Sequence, residues 1–348
     1  MPLVNNYKQV KEIYKQATEL GVGLPTFCAE DRETLEAILA AAYEFGRETG
    51  VDNLPIITSW TSRYPGRGQM KLVTACGEPR LGVNLMLSDI RAFMGDTSPY
   101  RKLLVMPHLD HAFPWLDGDM LEDFIDDFAS VMYDASEKPF EENIRMTAGY
   151  VEKVKGRVVV EGAVDEIFES GGKGEKNEPT TPQQARKFLS QTGVDIIVPN
   201  VGTEHRSTVD KARYLSERAR EISAEVGKIL CLHGTSSVGP EDLHKLPEDG
   251  FLKINIYTTL AVSGGQALTS HVLDNLGNIF DRKTLEDMVE KGILGKAVLS
   301  QDYANTQEII KPKLQYVANP ERRDAWFNAV KDRCKGFMKV FNYRNYAK

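Results

Sequence analysis

Leu103-Leu104-Val105-Met106-Pro107-His108-Leu109-Asp110-His111 places four apolar residues just ahead of two histidines and an aspartate. Two other runs end alike: Ile196-Ile197-Val198 leads through Asn200 and Gly202 to His205, and Ile229-Leu230-Cys231-Leu232 leads to His233. A residue just past a buried strand sits at the strand's carboxyl end, and in parallel α/β architectures those ends gather on the face where ligands bind. Three of the six histidines and a carboxylate are therefore expected together. Three protein ligands with an open fourth position suit a catalytic zinc, because a substrate oxygen must reach that position to be polarised.

Outward from these runs, the chain alternates short apolar segments with longer amphipathic ones. Eight segments read as strands: 23–27, 55–58, 103–106, 130–133, 157–160, 195–198, 228–232 and 251–256. Helix-like stretches lie between them, among them 32–49, 121–128, 140–153, 182–192 and 209–226. Strand followed by helix throughout, with eight strands, predicts an α/β fold of the closed (β/α)8 TIM-barrel type. One domain is expected over residues 1–348, with two elaborations. An insertion at 64–102, rich in glycine, is read as a loop with a helix near 88–94 and a role as lid or subunit contact. A C-terminal helical extension at 320–348 carries Trp326, Phe327, Phe337, Phe341 and Tyr343, too much aromatic surface for a free tail. The stretch 169–182 is polar and Gly-rich, and is read as a mobile loop after the fifth strand.

The balance of charge excludes some partners. A net charge of −7 with interspersed signs leaves no basic stripe for nucleic acid and no patch for an anionic membrane. Met1-Pro2-Leu3-Val4-Asn5 runs into the polar stretch 6–15, unlike a leader, and no apolar run reaches membrane-spanning length, so a cytoplasmic location is expected. Cys28, Cys76, Cys231 and Cys334 are scattered without paired spacing, which suggests neither disulfides nor a thiolate metal site.

Six motifs in order carry a resemblance. His108-Leu109-Asp110-His111, Ser130 to Ser136, Pro139-Phe140-Glu141-Glu142-Asn143-Ile144, Gly202-Thr203-Glu204-His205, Leu232-His233-Gly234 and Lys253-Ile254-Asn255-Ile256 resemble the class II, zinc-dependent fructose-bisphosphate aldolase family. The resemblance implies reversible aldol cleavage of a ketose phosphate, often by a homodimer or homotetramer, with one zinc per chain and room for a monovalent cation. By position it implies His111, His205 and His233 as metal ligands, Asp110 as acid/base at the C4 hydroxyl, and Asn255 as a contact to the ketone fragment. A second acid from the loop after the fifth strand would be Glu175, with Glu178 as the alternative. Gly202, Arg206, Gly234, Ser236 and Thr258 would complete the substrate contacts.

The chemistry asks for these residue types. Cleaving C3 from C4 leaves an enediolate whose charge a zinc ion stabilises as a Lewis acid, and neutral imidazoles leave the metal its full charge. A carboxylate next to a ligand can take the C4 hydroxyl proton. His108 reads as packing or as a neighbour of the metal, and Asp134 and Asp165 are open between supporting the metal and capping.

Four departures bear on substrate. Ala163 replaces a family carboxylate; Arg206-Ser207-Thr208-Val209, Gly234-Thr235-Ser236-Ser237 and Tyr257 replace smaller or differently charged phosphate-loop residues. Arg206 offers a fork suited to an anion, or a salt bridge to Asp210. Two other readings stay open: a metal-dependent sugar-phosphate epimerase on the same barrel, and a catalytically silent sugar-phosphate-binding relative.

Overall fold

The computed structural model describes residues 3–166, 178–204, 214–300, 316 and 319–347. Eight parallel strands close into a barrel in chain order. They are β1 Leu24–Cys28, β2 Pro55–Thr61, β3 Leu104–Ala112, β4 Ser130–Tyr133, β5 Val159–Ala163, β6 Ile196–Val198, β7 Leu230–Leu232 and β8 Phe251–Ile256. Closure is made by β1 pairing with β8, where Thr26 faces Asn255. Near-complete burial of every strand follows from helices on the outer face and packed side chains inside.

The expected ends differ most at β3, which runs through His108, Asp110 and His111 instead of stopping at Met106. Its ladder with β2 continues from Pro55 opposite Leu104 to Thr61 opposite Asp110. Polar residues there face a polar barrel interior, so an apolar-run criterion stops too early.

Helix ends obey local chemistry. Arg32–Thr49 starts where the Asp31 carboxylate accepts the Thr34 N–H at 2.8 Å, and stops at Gly50 with φ 75°. Pro182–Thr192 opens on a reciprocal cap between Thr181 and Gln184. The insertion holds helices Gln69–Leu72 and Pro79–Phe93, so its main helix begins well before the expected 88–94. Pro79 occupies the first turn, where its missing N–H costs nothing. Gly82 lets that helix back onto the Met70 carbonyl, which a Cβ would meet at 1.8 Å.

The polar start of the chain is also structured. Helix Tyr7–Glu19 buries Val10, Ile13, Tyr14 and Ala17, the one-face spacing of an amphipathic helix. At the far end, the Gly23 N–H donates to the Phe341 carbonyl and Tyr343 Oη to the Pro55 carbonyl at 2.9 Å, so residues 334–347 pack where β1 and β2 begin. Ligand-binding strand ends lie at the opposite mouth.

Two compact units divide the chain: residues 1–259 with 334–348, which contain the barrel, and residues 260–333. Within the second, Leu276, Leu285 and Val298 form a small core with Phe280 and Val289. Among the described residues, no helix is long and apolar enough to cross a membrane.

Candidate active site

Side chains on successive strand residues point to opposite faces, so Asp110 and His111 should not meet at one site. Backbone geometry resolves this. The β3–β4 register shifts between Leu109 and Ala112, and His111 has φ 45°, a left-handed conformation uncommon for a non-glycine residue. This irregularity brings His111 to the side that Asp110 faces.

His111 Nδ1 donates to Asp134 Oδ2 at 2.7 Å, which leaves the Nε2 lone pair turned inward. His233, just past β7, sets its Nδ1 at 3.0 Å from that Nε2. Two imidazole nitrogens on a tetrahedral zinc stand ~3.3 Å apart, given Zn–N bonds of ~2.0–2.1 Å. The pair therefore fits a common metal ion, and a carboxylate behind a ligating imidazole is the usual support of such a site. Asp110, His111 and His233 form one buried group able to hold a cation. The other Asp134 oxygen, Oδ1, closes a local turn by accepting from the Ser136 N–H and hydroxyl.

Asp110 is 1% exposed and crowded with donors. Asn255 Nδ2 lies 3.0 Å from Asp110 Oδ1 and 3.1 Å from His233 Nε2, and Arg67 Nη2 donates to Asp110 Oδ2 at 3.2 Å. Burial alone would push this carboxyl up, but His111, His233 and Arg67 hold it well below the usual carboxylate range. It is therefore ionised at neutral pH.

A cleft opens over these groups, lined by Cys28, Asp110, His233, Gly234, Ser236, Asn255, Tyr257 and Thr258 among others. Gly234 has φ 71°, and a Cβ there would meet Glu204 backbone at 2.6 Å, so only glycine fits. The Ser236 hydroxyl is buried with no hydrogen-bond partner among the described residues. Gly202 N–H is held by Asn200 Oδ1 at 3.0 Å, which orients the start of its loop. Glu178 is exposed. His205, Arg206 and Glu175 lie outside the described residues, as does most of the 169–182 loop.

Sequence reading missed a polar layer beneath the cleft. Lys253 and Glu161 form a fully buried ion pair, and His108 Nε2 lies 3.7 Å from Glu161 Oε2. Burial, reinforced by Lys253, pushes His108 down to about 4, so it is neutral at pH 7. Its Nδ1 is 2.8 Å from Ser130 Oγ. Burial alone would lower Lys253, but Glu161 holds it above the ordinary lysine value and keeps it charged. The signal in the sequence was Lys253-Ile254-Asn255, polar residues two apart within an apolar strand.

Known proteins of this architecture can now be compared. A solved structure of the fructose-bisphosphate aldolase of Campylobacter jejuni superposes with a TM-score of 0.74 at 18% identity, covering 98% of this chain and 95% of that one. The YdjI aldolase of Escherichia coli K12 superposes with a TM-score of 0.64 at 22% identity, covering 97% of this chain and 98% of that one. Both likenesses bear on the fold. In sequence, fructose-bisphosphate aldolases of Staphylococcus epidermidis and Staphylococcus aureus are 27% and 26% identical over 312 residues, covering 85% of this chain and 96% of each relative. Residues 8–345 match the family described as "Fructose-bisphosphate aldolase class-II". With nearly the whole chain matched and the barrel closed in the same way, the protein belongs to the class II fructose-bisphosphate aldolase family and is a lyase.

Proposed function

We propose that this enzyme reversibly cleaves a ketose phosphate, fructose 1,6-bisphosphate or a related sugar phosphate, using one zinc ion per chain held by His111, His205 and His233. The observation that carries the reading is the buried Asp110 carboxylate set against two imidazoles whose nitrogens converge at 3.0 Å. Zinc bound there would supply positive charge to draw electrons toward the substrate carbonyl.

The protein's own residues do the rest. Asp110 takes the C4 hydroxyl proton as the C3–C4 bond breaks, and returns it in the condensation direction. Asn255, within reach of both Asp110 and His233, orients the ketone fragment. Gly202, Gly234, Ser236 and Thr258, with Arg206, receive its phosphate; the glycine at Gly234 keeps main-chain N–H groups accessible. Glu175 protonates the ketone fragment after the aldehyde leaves. A homodimer or homotetramer is what the resemblance implies.

The test is a panel of ketose 1-phosphates and 1,6-bisphosphates with an assay for released aldehyde. Aldehyde release that a chelator abolishes and added zinc restores is expected. An isomeric sugar phosphate with no aldehyde would indicate an epimerase, and no conversion of any ketose would indicate a binding protein; either result overturns the reading.

A further inference from the structure

Arg67 comes from the insertion after β2, yet it is only 8% exposed and lines the cleft beside Asp110. Its mount is firm. The Arg67 carbonyl accepts from Thr61 Oγ1, and its N–H donates to the Tyr64 carbonyl at 3.0 Å. The guanidinium lies over the Tyr257 ring at 4.7 Å and the Tyr64 ring at 5.4 Å. Tyr257 is itself pinned, its hydroxyl donating to Glu30 Oε1 at 2.6 Å.

Such a group carries five N–H donors. One, on Nη2, reaches Asp110 Oδ2 at 3.2 Å; the other four have no hydrogen-bond partner among the described residues. A planar fork, preset by aromatic faces and left with free donors in a ligand cleft, suits a bidentate anion. Its place fixes which part of the substrate it meets. Asp110 works at the C4 hydroxyl, so a guanidinium touching Asp110 stands within one or two carbons of C4; the phosphate of the ketone half is already assigned above to Gly202, Gly234, Ser236, Thr258 and Arg206, which leaves to Arg67 the half that departs as aldehyde.

We infer that Arg67 selects the aldehyde half of the substrate by binding an anionic substituent on it, a phosphate or a carboxylate. The inference rests on the aldolase reading above.

The experiment runs the zinc-loaded enzyme in the condensation direction. Dihydroxyacetone phosphate is offered D-glyceraldehyde 3-phosphate, tartronate semialdehyde or D-glyceraldehyde, which present a phosphate, a carboxylate or no charge on a three-carbon aldehyde. Wild type is expected to favour at least one charged aldehyde, and the preferred one names the anion. In Arg67→Met that preference over glyceraldehyde should fall at least tenfold, through KM; Arg67→Lys, which keeps the charge without the fork, should fall between. If Arg67→Met instead lowers kcat by one factor for all three aldehydes, Arg67 serves only to hold Asp110 and the inference is overturned. Calorimetric binding of 3-phosphoglycerate separates this from the aldolase reading. Equal affinity in wild type and Arg67→Met overturns the inference. Arg67-dependent binding without carbon–carbon bond formation in any arm keeps the anion site at Arg67 but overturns the aldolase reading and, with it, the assignment to an aldehyde half.

Discussion

Asp110→Asn is expected to lower kcat for ketose cleavage by about a hundredfold or more, the scale of losing a positioned acid/base. Asparagine keeps the shape and can still accept from Asn255 Nδ2, which lies 3.0 Å from Asp110 Oδ1. It cannot take a proton from the C4 hydroxyl. His111 and His233 are untouched, so metal content should remain that of wild type. Steady-state kinetics and metal analysis on one preparation check both halves, and wild-type turnover would remove Asp110 from the chemistry.

The second large effect is on stability. Lys253 and Glu161 are both 0% exposed, and the ammonium is paired to the carboxylate inside the barrel. Removing one member of such a pair leaves an uncompensated buried charge, which costs about 3–5 kcal/mol. Lys253→Met should be destabilised on that scale in denaturant unfolding. Lys253→Met with Glu161→Gln, which removes both charges, should recover a large part of the loss, since the penalty belongs to the stranded charge and not to the missing attraction. A loss below about 1 kcal/mol in the single variant would mean that water or another cation reaches Glu161.

Why the sequence showed so much of this fold is physical. Eight strands buried on both faces must read as short apolar runs, and the connecting helices carry their caps in the sequence, as Asp31 and Thr181 do. What stayed hidden depends on contacts between distant segments. Asp134 could be read as a cap or as support for a ligand; its Oδ2 accepts from His111 Nδ1 and its Oδ1 from Ser136, while the helix that follows, Phe140–Val154, starts past Pro139 without it. The left-handed turn at His111 leaves no mark in the residue itself, since histidine rarely adopts it unless the surrounding structure compels it. Arg67 lies in Tyr64-Pro65-Gly66-Arg67-Gly68, where nothing local says that the insertion folds back to Asp110 across 43 residues. Lys253 was legible only as a charge in a strand; its partner Glu161 is 92 residues away.

Metal content tests the central claim most directly. Wild-type protein purified without added metal and analysed by elemental mass spectrometry should carry one zinc per chain, and the His111→Ala, His233→Ala double variant should carry almost none while keeping a folded barrel by circular dichroism. Stoichiometric zinc in the double variant, or a wild-type protein that takes up no divalent metal when zinc is supplied, would contradict the account.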